Sequence, residues 1–429
     1  MYIFERLESN VRSYIRSFPV TFASARGSWL TDSDGRRYID FFSGAGALNY
    51  GHNEPGMKRA LMDYLERDGV SHSLDMATEA KAGFLERFAR VILSPRSLDY
   101  RIQFTGPTGA NAVEAALKLA RKVTGRHGVV SFTRAYHGLS AGALAATANS
   151  HYRNEAYLQR ADVTFLPYDG YLGPEVDTMA YFASLLQDRS SGLGLPAAVI
   201  LETVQAEGGV NVASTAWLQR LASLCREYGM VLIVDDIQAG CGRTGSFFSF
   251  ESPGIVPDMV VLSKSISGYG FPMSLLLIRP DLDQWEPGEH TGTFRGNNVA
   301  FVTATEALRF WEDDLLREQM TRSSAFINQS LASLAAGLDG ASDGAAMAIR
   351  GRGLLIGVQT PSPQHNLAIA RACFAKGLVI ETCGGEQEVI KLLPALNMPQ
   401  DVLEQAMGIL ARSVREVLGH AQAGPSASA

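Results

Sequence analysis

Between about residues 51 and 300, short runs rich in valine, isoleucine and leucine recur along the chain. They include RIQFT at 101–105, HGVVSF at 127–132, DVTFLP at 162–167, AAVILE at 197–202, MVLIVDD at 230–236 and DMVVLSK at 258–264. All are short and rich in valine, isoleucine or leucine, as expected of strands covered on both faces. Helical spacing lies between them. In TGANAVEAALKLARKVTG, the apolar residues Val113, Leu117, Ala120 and Val123 recur on one face, and Gly125 ends the run. Strands alternating with helices predict an α/β fold, a mainly parallel sheet between two helical layers.

The pattern differs at both ends. GSWLTDSDGRRYIDFFSG reads as two strands joined by an Asp34-Gly35 turn, so residues 1–50 form an arm and a hairpin. Beyond 300, helical patterns in ATEALRFWEDDLLREQM and AFINQSLASLAAGL lead to a loop, DGASDGAAM. Shorter strands follow near RGLLIGVQ and LVIETC, then a final helix. We expect a large domain over 51–300, a smaller α+β domain over 301–420 that includes the segment 1–50, and a disordered tail at 421–429.

Hydrophobic residues make up 46% of the chain and charged residues 19%, with a net charge of −6. That balance suits a soluble protein with an ample core and gives no footprint for nucleic acid. No apolar run is long enough to cross a bilayer, and the charged amino terminus lacks a signal-peptide core. Cys225, Cys241, Cys373 and Cys383 are widely spaced and contain no CxxC, which reads as reduced thiols in a cytoplasmic protein, with no metal site.

Chemistry concentrates at strand ends. VLIVDDIQAGCGRTG ends an apolar strand in carboxylates and an amide, and VVLSKSISG ends the next in Lys264. Open α/β sheets build ligand sites at such carboxyl ends. A lysine flanked by Ser263 and Ser265 can be desolvated, and a neutral amine attacks carbonyls. Adjacent Asp235 and Asp236 point to opposite sides of a strand, so only one faces a ligand. Lysine, aspartate and Gln238 together match what pyridoxal 5′-phosphate requires: a Schiff-base partner, a counter-ion for the ring nitrogen and a partner for the ring oxygen. Thr108, Gly109 and Ala110 open a helix where backbone N–H groups favour an anion. Tyr136 offers a ring for stacking, and His137 suits an orienting or an acid–base role. Glu202 and Glu207 follow a buried strand, as caps or as partners of a pocket cation.

Together DDIQAGCGRTG, GHNEPGMKRAL, TGANAVEAALKLAR, AYHG, ETVQAEGGV and GTFRGNN resemble, in order, the class III (ω-amino) aminotransferases of the fold-type I pyridoxal phosphate enzymes. The resemblance implies a large domain with a mainly parallel seven-stranded sheet and a smaller α+β domain. It implies that Lys264 is the catalytic lysine, that Asp235 pairs with the ring nitrogen, that Gln238 contacts the ring hydroxyl, and that Tyr136 stacks on the ring. Thr108, Gly109 and Ala110 would hold the phosphate. Thr293 would reach the phosphate of a neighbouring subunit in a homodimer or larger oligomer. Glu207 would pair with the cation that receives a substrate carboxylate, here Lys391 in VIKLLPAL where relatives carry arginine. Asp236 replaces a glutamate on what should be an outer face. GAGALNYGH, FFSFE and VIK narrow the resemblance to the branch that transfers an amine from L-glutamate to L-aspartate 4-semialdehyde in ectoine biosynthesis. Enzymes acting on ornithine, 4-aminobutyrate or a diamine share many of the motifs.

Overall fold

A computed structural model describes residues 2–156, 162–339 and 347–420. The loop expected around 340–346 and the tail expected at 421–429 lie outside the described residues.

The seven strands of the central sheet, numbered here in chain order, are β1 (Arg101–Phe104), β2 (Val129–Phe132), β3 (Val163–Leu166), β4 (Ala198–Leu201), β5 (Val231–Asp235), β6 (Met259–Leu262) and β7 (Leu275–Ile278). Their spatial order is β1-β7-β6-β5-β4-β2-β3. Only β7 runs antiparallel to its neighbours. The six strands named from the sequence are all present. The antiparallel seventh, in MSLLLIR, looks no different in composition from the parallel ones.

Both faces of this sheet are buried. Val199, Leu201, Leu232, Val234, Val260 and Leu262 join one core cluster; Ala198, Ile200, Val231, Ile233, Met259 and Val261 join the other. This is the two-residue alternation of a strand with apolar side chains at every position. The second face is covered by the helix Gly109–Thr124, whose Val113, Leu117 and Ala120 are buried and whose last turn closes on Gly125 at φ +67. Such a left-handed closing residue favours glycine.

The amino-terminal hairpin forms as read, Trp29–Asp32 pairing with Arg37–Asp40 across the Asp34-Gly35 turn. A strand late in the chain, Leu378–Val379, adds to it in parallel, so the two ends of the sequence share one sheet. Next to it, Ala348–Arg352, Leu355–Gln359, Val389–Leu392 and Glu381–Cys383 form a four-stranded antiparallel sheet in that order. The final helix, Gln400–His420, packs on the helix Pro363–Ala375. Among the described residues, no helix is long and apolar enough to cross a membrane. All four cysteines are free and buried.

Candidate active site

Four strand ends and one helix start converge on a cavity of about 310 Å³. It is lined by Thr108, Gly109 and Ala110 at the helix start, Tyr136 and His137 after β2, Glu202 and Glu207 after β4, Asp235 and Gln238 after β5, and Lys264 after β6. Nine of the ten residues expected from the sequence either line this cavity or, like Lys391, bond to residues that do. Thr293 is not brought there by its own chain. It is exposed, with its carbonyl 2.9 Å from His72 Nε2.

Lys264 begins a short turn, Lys264–Ser267, at φ +53. A left-handed lysine is a strained backbone held by its surroundings. Here Ser263 Oγ donates to Met273 O at 2.8 Å and Ser265 Oγ to Gly46 O at 2.8 Å. Burial, more than any neighbouring charge, pulls the Lys264 amine below the usual lysine range; Glu207 opposes this and Lys391 adds to it. A depressed amine is the form a nucleophile and proton carrier needs.

Asp235 ends β5, almost fully buried, with Oδ2 2.8 Å from His137 Nδ1 and Oδ1 accepting from Ile237 N at 3.2 Å. His137 therefore sits behind the carboxylate and orients it. Asp236, expected on an outer face, is fully enclosed, with Oδ2 accepting from Ser249 N at 3.0 Å. Both faces of the sheet are covered, so the alternation of adjacent aspartates directs one into the cavity and the other into protein.

The helix start is pressed onto these strand ends. A Cβ on Gly109 would lie 2.5 Å from Ile237 Cδ1 and 3.4 Å from Ser263 Cβ. Thr108 N and Oγ1 both donate to Asn111 Oδ1, at 3.3 and 3.0 Å, which fixes the turn. The loop carrying Tyr136 is tied at both ends. Tyr136 N donates to Glu202 Oε1 at 2.9 Å, and Glu114 Oε1 accepts from Ser140 Oγ at 2.7 Å and Gly142 N at 2.8 Å.

Two residues matter more than the sequence suggested. Glu202 lines the cavity, and burial pushes its carboxyl up to about 7. The strand-end rule that selected Asp235 applies equally to Glu202. Glu381 had no such signal: it lies on a short strand and reaches the site through its cross-strand neighbour Lys391.

Glu207 projects from the tip of a small hairpin, Val204–Gln205 with Asn211–Val212. Its Oε1 accepts from Lys391 Nζ at 2.5 Å and from Gln238 Nε2 at 3.0 Å. Burial alone would raise this carboxyl, but Lys391 and then Lys264 outweigh it and hold it down to about 2. Gln238 bridges the pair, its Oε1 accepting from Lys391 Nζ at 3.0 Å and its Nε2 also donating to Ala45 O at 2.9 Å. The hairpin tip abuts the loop that leads to Tyr136. A Cβ on Gly208 would lie 2.2 Å from the Arg134 carbonyl oxygen. Gly208→Ala must therefore shift backbone on one side. We expect a loss of about 1–3 kcal/mol in unfolding free energy, seen as a lower denaturant midpoint together with reduced turnover.

Residues 12–414 match the family profile of class-III aminotransferases. The chain belongs to that family. It is 56% identical over 422 residues to a diaminobutyrate–2-oxoglutarate transaminase from Bordetella parapertussis, covering 98% of this chain and 96% of that one. It is 53% identical to the protein of the same name from Wolinella succinogenes, covering 99% and 98%. Among solved structures, the ornithine aminotransferase of Toxoplasma gondii superposes with a TM-score of 0.83 at 26% identity, over 98% of this chain and 95% of that chain. The cofactor of this class III aminotransferase is pyridoxal 5′-phosphate, and the residues present fit it. A helix start opens on the cavity for the phosphate, a buried histidine-backed carboxylate suits a protonated ring nitrogen, and a desolvated lysine suits the aldehyde.

Proposed function

We propose that this aminotransferase moves an amino group from L-glutamate to L-aspartate 4-semialdehyde, giving 2-oxoglutarate and L-2,4-diaminobutyrate. The observation that carries the reading is the Glu207–Lys391 pair beside Lys264, in a chain more than half identical to relatives with that activity in their names. When bound, pyridoxal phosphate supplies an aldehyde for the substrate amine and a ring that takes up the electron pair released at the amine-bearing carbon. Lys264, its amine desolvated, would take and carry the proton from that carbon. Asp235, backed by His137, would keep the ring nitrogen protonated. Thr108, Gly109 and Ala110 would hold the phosphate, Tyr136 would cover the ring, and Gln238, bonded to Glu207 and Lys391, would also serve the ring oxygen.

Two amine carriers must use one pocket. Glutamate brings a carboxylate next to its reacting amine; the 4-amino end of diaminobutyrate brings none. Glu207 neutralises Lys391 for the second and releases it for the first. Glu207→Ala should therefore slow the diaminobutyrate half-reaction at least about tenfold more than the glutamate half-reaction, a difference near 1.4 kcal/mol. Rapid-mixing absorbance of each half-reaction measures it, and equal slowing would sink the gating role. Amino-acceptor profiling with glutamate as donor tests the assignment itself. Aspartate 4-semialdehyde should be the preferred acceptor; a stronger preference for the semialdehyde of ornithine or 4-aminobutyrate would redirect the reading to those ω-amines.

The same reading assigns Thr293 to the phosphate of a second subunit, in a homodimer working in the cytoplasm at the opening of ectoine biosynthesis. It divides the chain at about 50 and 300, with 1–50 and 301–420 forming the smaller domain. The shared sheet between Arg37–Asp40 and Leu378–Val379 supports that division.

A further inference from the structure

Lys391 lies in the middle of the strand Val389–Leu392 with its side chain wholly enclosed. Two carboxylates reach its ammonium group: Glu207 Oε1 at 2.5 Å and Glu381 Oε1 at 3.1 Å. They arrive from different kinds of structure. Glu207 sits at a hairpin tip, in the turn between Gln205 and Asn211. Glu381 sits directly across from Lys391 in the antiparallel pairing of Glu381–Cys383 with Val389–Leu392. Its side chain is almost fully enclosed, and among the described residues Oε1 makes no aligned hydrogen bond, so the Lys391 charge is what faces it.

The two partners differ in what they can do. A turn residue can swing aside; a residue fixed by strand register cannot. A buried ammonium left without a counter-charge is strongly disfavoured. With Glu207 as sole partner, Lys391 would face that situation each time Glu207 moved away before a substrate carboxylate had arrived. Glu381 removes it. The same contact has a second consequence, because an ammonium already shared with a fixed anion holds an incoming carboxylate less tightly. Burial raises the Glu381 carboxyl, Lys391 opposes that and Glu207 adds to it, so the anion is favoured as Glu207 moves away. The ammonium itself is held above the usual lysine range, since Glu207 and then Glu381 outweigh its burial.

We propose that Glu381 is a positioning residue that sets specificity at this site, holding Lys391 in place as a fixed counter-charge and weakening its grip on substrate carboxylates. The idea rests on the reading of Lys391 as the carboxylate subsite. It explains how a flexible lysine can stand at that position, since lysine lacks a rigid fork of its own and takes its direction from partners. It also makes the subsite a weak one, from which a carboxylate product leaves readily.

The test uses the cofactor-loaded enzyme and glutarate, a dicarboxylate with no amine to react. Calorimetric titration should show Glu381→Gln binding glutarate about tenfold more tightly than the unaltered protein, with Glu381→Asp, whose anion stands one methylene further back, falling between them. In single-turnover absorbance measurements, the apparent Kd for glutamate should fall by a similar factor in E381Q, and that for L-2,4-diaminobutyrate should stay within about twofold. A merely structural role would shift both substrates together. Glutarate affinity in E381Q no higher than in the unaltered protein would overturn the proposal, as would the same result in E381D if the glutamine variant did not fold. Failure of the functional reading looks different: unaltered enzyme that binds glutarate yet moves no amine from glutamate to the semialdehyde.

Discussion

Lys264→Ala should lower turnover with glutamate by about 10⁴-fold or more, because in the proposed reaction it removes both the amine that would meet the cofactor and the proton carrier at the reacting carbon. The loss should come without unfolding. Among the described residues, Lys264 Nζ makes no hydrogen bond or ion pair, and the neighbouring hydroxyls that anchor the turn belong to Ser263 and Ser265. Alanine at φ +53 is strained much as lysine is, so the turn gains no new freedom. Lys264→Arg should be equally inactive, because a guanidinium remains protonated at any working pH and cannot accept the proton. Steady-state rates for both variants, beside circular dichroism and cofactor absorbance, check this. Retention of more than about one per cent of normal turnover by either variant would mean that another group moves the proton.

The central sheet and the cofactor end of the site were legible in the sequence because each rests on a local signal. A run such as VLIVDD has apolar side chains at every position, so the strand is buried on both faces and its first polar residue marks the strand end. Asp235, Gln238 and Lys264 could be read in this way. The helix start at Thr108–Ala110 could be read from its glycine and the amphipathic run behind it. The misses are non-local. Glu381 is one carboxylate on a three-residue strand, and its importance arises from register with Lys391 ten positions later across a reversal of the chain. Leu275–Ile278 lacks any feature that distinguishes an antiparallel strand from a parallel one, since both are covered on two faces. Asp236 was placed outward by a correct alternation rule applied without knowing what covers the second face. Thr293 has a proposed role toward a second chain, which contacts within one chain do not describe.

Arg243→Leu should lower the unfolding free energy by about 3–4 kcal/mol, at a position outside the cofactor site. Arg243 is fully buried, and among the described residues no carboxylate forms an ion pair with it. Its guanidinium is held by neutral acceptors from three separate parts of the chain. Nη1 donates to Pro394 O at 2.5 Å and Leu354 O at 3.3 Å, and Nη2 donates to Asn49 Oδ1 at 2.5 Å. Burial accordingly pulls the group down from the usual arginine range to about 9, with Asp40 opposing. Asn49 continues the connection: its Nδ2 donates to Cys241 O at 2.9 Å and its N to Ser265 Oγ at 3.1 Å, one residue from Lys264. Leucine fills part of the volume but leaves two carbonyls and an amide enclosed without their donor, and each such group costs about 1–3 kcal/mol. Arg243→Lys should recover less than half of the loss, because a single ammonium cannot span acceptors spread along a planar fork. Denaturant midpoints of the three proteins measure this, and turnover should fall in the folded fraction as Asn49 and Ser265 lose their anchor. A midpoint shift equivalent to less than about 1 kcal/mol would show that the three segments are held by their apolar contacts alone.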